Sequence, residues 1–530
     1  LTQRKYRSEI IPPTATAIHS LGQRNSQYLH YQRGTVWYYW NNSLQQKDII
    51  TLTGTGGTAS ITKAGYLTKT ITFVSTLPAT ATAFVAANAA AYLAKGITLT
   101  AGTGTLIFEA VTAGVGFHSP VITNVTTDLA GTVVNTVVNE TTVKDTLTAA
   151  SGRIEEFNTG TTRYTLLFNG TDRYSWDGTT AVSLTNAPAT NKFTVHKGRV
   201  YALLGSELKF SALNVLNDWT TVNDAGSISI TNARGDGTGI VTYNDYVTVF
   251  TKYSMHQLYG TGPDSYELKD VPTNIGCVSD RSVVICNDIL YWVWYDGLYM
   301  FDGSIPEKVS YKMDYYFNEM KGYESIFDKI ACGVQGDFIF ISIPYSDATS
   351  RAENLMVIKY DTKNNTFYPW SNTRYDAFTA LGNVLYGIEG YGTIPGDAIN
   401  FYKNVCKVED DNATTDVTSI TEWQWHSGPR LKGSVSKNKT LTELWIVYDL
   451  PVGSNFFIYT SPLAGIDGVT DDGTNQWTLA KTITGADSNP TRGRVQVSLD
   501  SVPSLGWYRI MLRGSGPCTI HYATEKYRVK

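Results

Sequence analysis

The sequence predicts a mainly β protein: a β-propeller of six or seven blades, interrupted by a small inserted α+β module and followed by a C-terminal β-sandwich. Three observations point there. Strand and turn formers are plentiful: aromatic residues make up 12% of the 530-residue chain and glycine fills 46 positions, while charged residues are only 17%, below the roughly 25% usual in globular proteins. One hairpin pattern recurs between positions 28 and 402. Two stretches, 48–150 and 415–530, depart from that pattern in composition and spacing. The chain therefore divides into an N-terminal segment with the first propeller strands (1–47), the inserted α+β module (48–150), the propeller proper (151–408) and the sandwich (415–530).

The recurring unit is a short strand, a tight polar turn, and a strongly aromatic or β-branched strand. It reads YLHYQRGTVWYYW at 28–40, RYTLLFNGTDRYSW at 163–176, FTVHKGRVYAL at 193–203 and IVTYNDYVTVF at 240–250. It continues as SVVICNDILYWVW at 282–294, IACGVQGDFIFISI at 330–343 and FTALGNVLYGI at 378–388. The Gly, Asn and Asp in these turns supply the positive φ that two-residue hairpin loops need. Third strands such as RYSWDG, ELKFSA, MHQLYG, LYMFDG and MVIKYD end in an aromatic. They recur roughly 35 to 60 residues apart, bracketing the period of propeller blades. A small sheet with two apolar faces is not soluble alone, and radial stacking buries both faces. Blade number stays open at six or seven, because an N-terminal strand can complete a later blade.

Residues 48–150 are nearly free of charge and rich in Thr, Gly, Ala and Val. They read as strand, helix and strand, with Pro78 suited to the helix's first turn and Gly96 to its end. Phe84, Ala87, Ala91 and Tyr92 fall on one helical face, expected to pack in a core. The module is expected between the first and second repeats. After a polar linker (EDDNATTD, 409–416), segments such as TELWIVYDLP, FFIYTSP, GRVQVSLD and GWYRIMLRGSG follow at the short spacing of antiparallel strands in a sandwich.

The search for chemistry assigns no catalytic, cofactor-binding or metal-binding residue. The seven histidines show no ligand spacing, and His196 and His256 fall on different repeats, as ordinary strand residues. No nucleophile elbow, P-loop or zincin motif occurs. GDGTG at 235–239 lacks the Lys-Ser/Thr of a phosphate loop and reads as a turn. DDGTNQW at 471–477 lacks the spaced ligands of a calcium loop. Asp296, Asp302 and Asp337 could supply paired carboxylates for glycan hydrolysis, but the Asp-Gly pairs at 296 and 302 read first as turns. Trp292, Trp294, Tyr295 and Tyr299 could stack on sugars, though their alternation suits packing between blades. Five dispersed cysteines without redox or metal spacing read as buried apolar residues. No apolar run of membrane-spanning length is present. The start, LTQRKYRSEIIPP, has no signal-peptide core. A net charge of −4 argues against a nucleic-acid-wrapping surface, though not against a lumen that DNA traverses.

Residues 199–303 carry a resemblance. RVYALLGSELKFSALNVLNDWTTV (199–222), SISITNARGDGTGIVTYNDYVTVFTKYSMHQLYGTGPDSYELKDV (227–271) and GCVSDRSVVICNDILYWVWYDGLYMFDG (276–303) follow one another. In that order they resemble tailed-phage virion proteins, the tail nozzle and tail-stabilisation proteins of short-tailed phages. WQWHSGP (423–429), TELWI (442–446) and GSGPCTIH (514–521) resemble the end domain of that family. The likeness covers roughly residues 155 to 530, on strand and turn motifs; the insertion departs from it. It implies a virion protein of the tail or head–tail connector and a homo-oligomeric ring, a hexamer on the tail axis. The ring would contact portal, adaptor or other tail proteins. Packaged genomic DNA would be held, then released through the lumen without sequence-specific binding. It implies no enzyme activity, cofactor or membrane span. The alternatives are a receptor- or glycan-binding virion protein and a propeller enzyme acting on polysaccharide.

Overall fold

The structure, a computed structural model, describes residues 6–14, 16–220, 224–345, 356–371, 373, 375–390 and 403–410. In the C-terminal part it describes 422–426, 430–431, 439–450, 452, 454–461, 478–485, 492–498, 507–516 and 518–529. Two compact units emerge, one of residues 9–407 and one of residues 1–8 with 408–530.

The larger unit is mainly β and of the β-propeller type. Among the described residues, seven four-stranded antiparallel sheets share one strand order. Sheet 1 runs Ile18–Arg24, Tyr28–Arg33, Val36–Trp40 and then Glu140–Lys144. Sheets 2 to 6 are each continuous in sequence. Sheet 2 is Arg153–Asn158, Arg163–Phe168, Arg173–Trp176 and Ala181–Ser183; sheet 3 is Phe193–His196, Arg199–Leu204, Glu207–Phe210 and Gly226–Ser229. Sheet 4 is Gly237–Tyr243, Tyr246–Thr251, Met255–Tyr259 and Glu267–Asp270; sheet 5 is Val284–Cys286, Ile289–Trp294, Gly297–Phe301 and Glu307–Lys308. Sheet 6 is Ala331–Gln335, Phe338–Ile343, Met356–Asp361 and Thr366–Ser371. Sheet 7 takes Tyr375–Leu381, Val384–Gly390 and Lys403–Asp410, and its fourth strand is the N-terminal Tyr6–Thr14.

The hairpins between first and second strands form where the turn residues demand them. Asn244 and Asp245 have φ of 44° and 67°, and Asn287 and Asp288 have φ of 50° and 60°. These are the left-handed conformations of a type I′ turn, which Asn and Asp tolerate better than other side chains. The sheets then bury their apolar faces against one another. Leu203, Leu208 and Phe210 of sheet 3 pack on Ile240, Val249 and Leu258 of sheet 4. Phe250 and Met255 of sheet 4 pack on Leu290, Trp292 and Phe301 of sheet 5. Each such buried side chain contributes about 1.5–3 kcal/mol of burial free energy.

First strands touch in succession from sheet 1 to sheet 4, and the turn Asp280–Ser282 ahead of sheet 5 links sheet 4 to sheet 6. Sheet 6 then touches the first strand of sheet 7, which touches that of sheet 1. Close approach here needs small residues: a Cβ on Gly22 would lie 2.4 Å from the Ile154 Cβ.

The inserted stretch does not lie between repeats. Trp40 pairs with Glu140, so the strand Glu140–Lys144 belongs to sheet 1, and the insertion sits inside that sheet, between its third and fourth strands. This corrects the sequence expectation for residues 140–150. The reason is physical: an antiparallel edge strand can be supplied from far along the chain when its neighbour leaves it unpaired. Two sheets form the module, one of Lys47–Thr53, Ile97–Gly102, Thr105–Ala110 and Ala130–Val137, the other of Gly57–Thr62, Lys69–Thr72 and Val121–Thr127. The helix Leu77–Leu93 starts at Thr76, whose side chain accepts from the Ala79 N–H, has Pro78 in its first turn, and is followed by Gly96 at φ 74°. Its buried face is Thr80, Ala81, Phe84 and Tyr92; Ala87 is exposed and Ala91 half-buried. Thr80 belongs to that face because its hydroxyl bonds the Thr76 carbonyl and the Val74 N–H.

Among its described residues, the C-terminal unit has two antiparallel sheets. One orders Glu422–His426, Trp507–Ser515, Asn455–Ser461 and Thr478–Thr484, with Arg430–Leu431 also on Trp507–Ser515. The other orders Arg492–Ser498, Lys439–Asp449 and Thr519–Val529. Leu444, Ile446 and Ile520 from one and Phe456, Ile458 and Leu512 from the other form one core, the arrangement of a β-sandwich.

Candidate functional site

The residues singled out from sequence are not brought together. Asp296 accepts from the Tyr299 hydroxyl at 2.9 Å and pairs with Lys308 at 3.2 Å. Asp302 caps its own turn through Ser304, and Asp337 accepts from Asn287 at 3.0 Å. All three thus have local structural partners. Trp292 is fully buried and donates to the Gly276 carbonyl at 2.7 Å. GDGTG at 235–239 turns into the strand starting at Gly237. The segment 471–477 lies outside the described residues. No cluster of metal-binding side chains occurs among the described residues. Cys277, Cys286, Cys332, Cys406 and Cys518 are all buried, and none is in a disulfide. No described helix is long and apolar enough to cross a membrane.

Two polar constellations went unseen in the sequence. The first links first strands of separate sheets. Arg153, on sheet 2, donates to the Ile240 carbonyl of sheet 4 at 2.9 Å and forms a two-oxygen ion pair with Asp280 at 3.0 and 3.2 Å. Glu155 pairs with the same guanidinium and accepts from the Val195 N–H of sheet 3 at 3.1 Å. Asp280 also accepts from the Ile240 N–H at 2.9 Å. Burial pushes the Glu155 carboxyl up, and Arg153 opposes that shift. Next to Asp280, Arg281 donates to the Asp376 carbonyl of sheet 7 and the His19 carbonyl of sheet 1. Both carboxylates are thus spoken for by an arginine and a backbone N–H. The arrangement latches five sheets.

The second lies at one end of sheet 4. Met255–Tyr259 and Glu267–Asp270 are antiparallel neighbours, and their register sets His256 directly opposite Asp270. His256 Nδ1 meets Asp270 Oδ1 at 2.7 Å, and its Nε2 meets the Ser254 hydroxyl at 2.8 Å. Asn232 Nδ2 holds the other Asp270 oxygen at 2.7 Å, and the Thr251 hydroxyl lies 2.6 Å from that of Ser254. Burial lowers the His256 pKa below its ordinary 6.5, against the opposing pull of Asp270, so the ring is neutral at pH 7. Ser254 and Asp270 line a cleft of about 380 Å³ with Asn232, Arg234, Thr273 and Asn274. His196, by contrast, has Asp245 at 3.8 Å and the Tyr201 ring at 6.3 Å. The Ser-Met-His run was visible in sequence; its aspartate comes from the next strand, which only the register reveals.

No family model and no curated relative matches the chain. Among solved structures, it is similar to the extracellular domain of a hybrid two-component system of B. thetaiotaomicron, at 11% identity and TM-score 0.37, over 81% of this chain and 59% of that one. It is also similar to an exo-β-1,3-galactanase of Phanerochaete chrysosporium, at 8% identity and TM-score 0.23, over 71% and 97%. A third is Kluyveromyces lactis Hsv2, at 9% identity and TM-score 0.28, over 44% and 69%. At these scores the likenesses say nothing of what this chain does.

Proposed function

We propose that this chain is a structural component of a phage tail or head–tail connector, built as a closed seven-bladed propeller that assembles into a ring around the DNA path. The observation that carries the reading is the latch of Arg153, Asp280 and Arg281, which ties first strands together where a propeller enzyme keeps its funnel open. A propeller latched this way suits passive mechanical work. The DNA path would then be the hole of a multi-copy ring. The fourth strand of sheet 7 comes from the N-terminus, which fastens the first and last sheets and removes an open edge. The resemblance of 199–303 to nozzle and tail-stabilisation proteins supplies the setting, and the low charge content suits a wall that passes DNA without holding its phosphates. Electron microscopy of virions with an antibody or tag on this chain tests the assignment: label on the tail axis supports it, and label elsewhere refutes it.

A second reading, glycan or receptor binding, has one observation in its favour. Tyr253 stacks on Tyr295 at 5.9 Å and 11°, with Lys252 over both rings, and Tyr253 is 40% exposed. A glycan array without hits removes it.

A further inference from the structure

The hydrogen-bond chain at the end of sheet 4 has the order of an activated serine. Asp270, as a carboxylate, can only accept, so Nδ1 of His256 carries the proton and donates it. Nε2 is then left as an acceptor, and the Ser254 hydroxyl must donate to it. Nucleophile to base is 2.8 Å and base to orienting carboxylate is 2.7 Å, both within the range that acyl transfer uses. Asn232 fixes the far carboxylate oxygen at 2.7 Å. The Arg234 N–H points at the Ser254 oxygen from 3.5 Å and offers one donor beside the place where an oxyanion would form.

We propose that Ser254, His256 and Asp270 form a hydrolytic site for small carboxylic esters, with Ser254 as nucleophile, His256 as general base and Asp270 as positioning residue. The cleft of about 380 Å³ is near the small end of ligand sites, which limits the substrate to a short acyl group on a compact alcohol. Its polar lining of Asn232, Arg234, Thr273 and Asn274 favours a hydroxyl-rich alcohol portion. Ser254 Oγ attacks the acyl carbon while its proton passes to His256 Nε2. The bond to the alcohol oxygen breaks, and the alcohol leaves with that proton. Water then attacks the acyl-serine, giving its proton to His256. Ser254 is reprotonated as the carboxylic acid departs. The sum is ester plus water to acid plus alcohol, with no further reactant. Burial keeps His256 neutral, with Asp270 and Arg234 the charged groups that act on it in opposite senses. This site is independent of the role proposed above.

The test uses the whole chain with diisopropyl fluorophosphate, followed by intact mass and peptide mapping, and separately p-nitrophenyl acetate turnover from pH 5 to 8. The expected result is one label, on Ser254. Turnover should rise with pH to a plateau, with its midpoint below 6.5. Ser254→Ala should abolish label and turnover. Asp270→Asn should lower kcat about 10²-fold or more with little change in KM, the mark of a wrongly held tautomer. Folded wild-type protein left unlabelled at Ser254 overturns the proposal, whatever the variants do. So does turnover that Ser254→Ala leaves unchanged; the hydrogen bonds would then serve only to staple the strand end to Asp270.

Discussion

Glu9 sits where the N-terminal strand meets two partners, accepting from the Tyr66 hydroxyl at 2.6 Å and from Asn404 at 3.0 Å. Desolvation raises its pKa from 4.5 to about 7, against the lowering effect of both bonds. The folded state therefore binds this proton more tightly than the unfolded chain does. Glu9 favours folding below pH 4.5, and that contribution fades as pH rises through about 7. The loss amounts to about 3 kcal/mol, at 1.36 kcal/mol per pKa unit. Glu9→Gln keeps an acceptor without a charge, so it should flatten this part of the pH–stability curve and melt higher than wild type at pH 8. Equal melting at pH 8 contradicts the account. His30 is a second unusual residue. It is fully buried among Trp37, Tyr39 and Trp176, and neither ring nitrogen has a hydrogen-bond partner. Burial, then Arg24, lowers its pKa to about 3. His30→Phe removes two unsatisfied nitrogens and should stabilise the fold by about 1–3 kcal/mol, read as a higher Tm. Neither residue was legible in the sequence: a lone Glu or His on a strand gives no sign that its neighbours come from far along the chain.

At the scale of the element, the hairpins were the most legible feature. HKGR, YND and CND impose local backbone geometry, and Lys197, Gly198, Asn244, Asp245, Asn287 and Asp288 all have positive φ. The insertion was legible as a change in composition, but its return was not. The pairing of Trp40 with Glu140 depends on an edge left open by other strands, which no local pattern records. Because Asn41 and Asn139 meet at the base of the module, the Asn41 N–H donating to the Asn139 carbonyl at 2.8 Å, a tight turn can replace it. A chain joined there without residues 42–138 should keep its propeller β content. It should melt lower, since the Trp40 indole loses its bond to the Gly114 carbonyl and Glu9 loses Tyr66. Complete unfolding of that variant would mean that the module is part of sheet 1's core. The Arg153 latch is also an element-level device. Arg153→Met leaves Asp280 and Glu155 without their cation and should cost on the order of 3 kcal/mol, measured by thermal or urea unfolding.

For the whole molecule, the sequence reading reached propeller-type sheets and a sandwich because both rest on repeated local signals. It could not decide between six and seven blades, because the fourth strand of the last sheet, Tyr6–Thr14, pairs with Lys403–Asp410 from the opposite end of that unit. Removing the N-terminal strand should expose the edge of Lys403–Asp410 and promote association through it. The Ser254 constellation escaped for a related reason: strand register, not composition, sets Asp270 opposite His256. As proposed, this propeller works as one unit of a ring on the tail axis. The most direct test is the native mass of the purified chain, with negative-stain images of the same sample. Closed rings of about six copies with a central hole are expected. A monomer at every concentration, with no ring in any image, would contradict it.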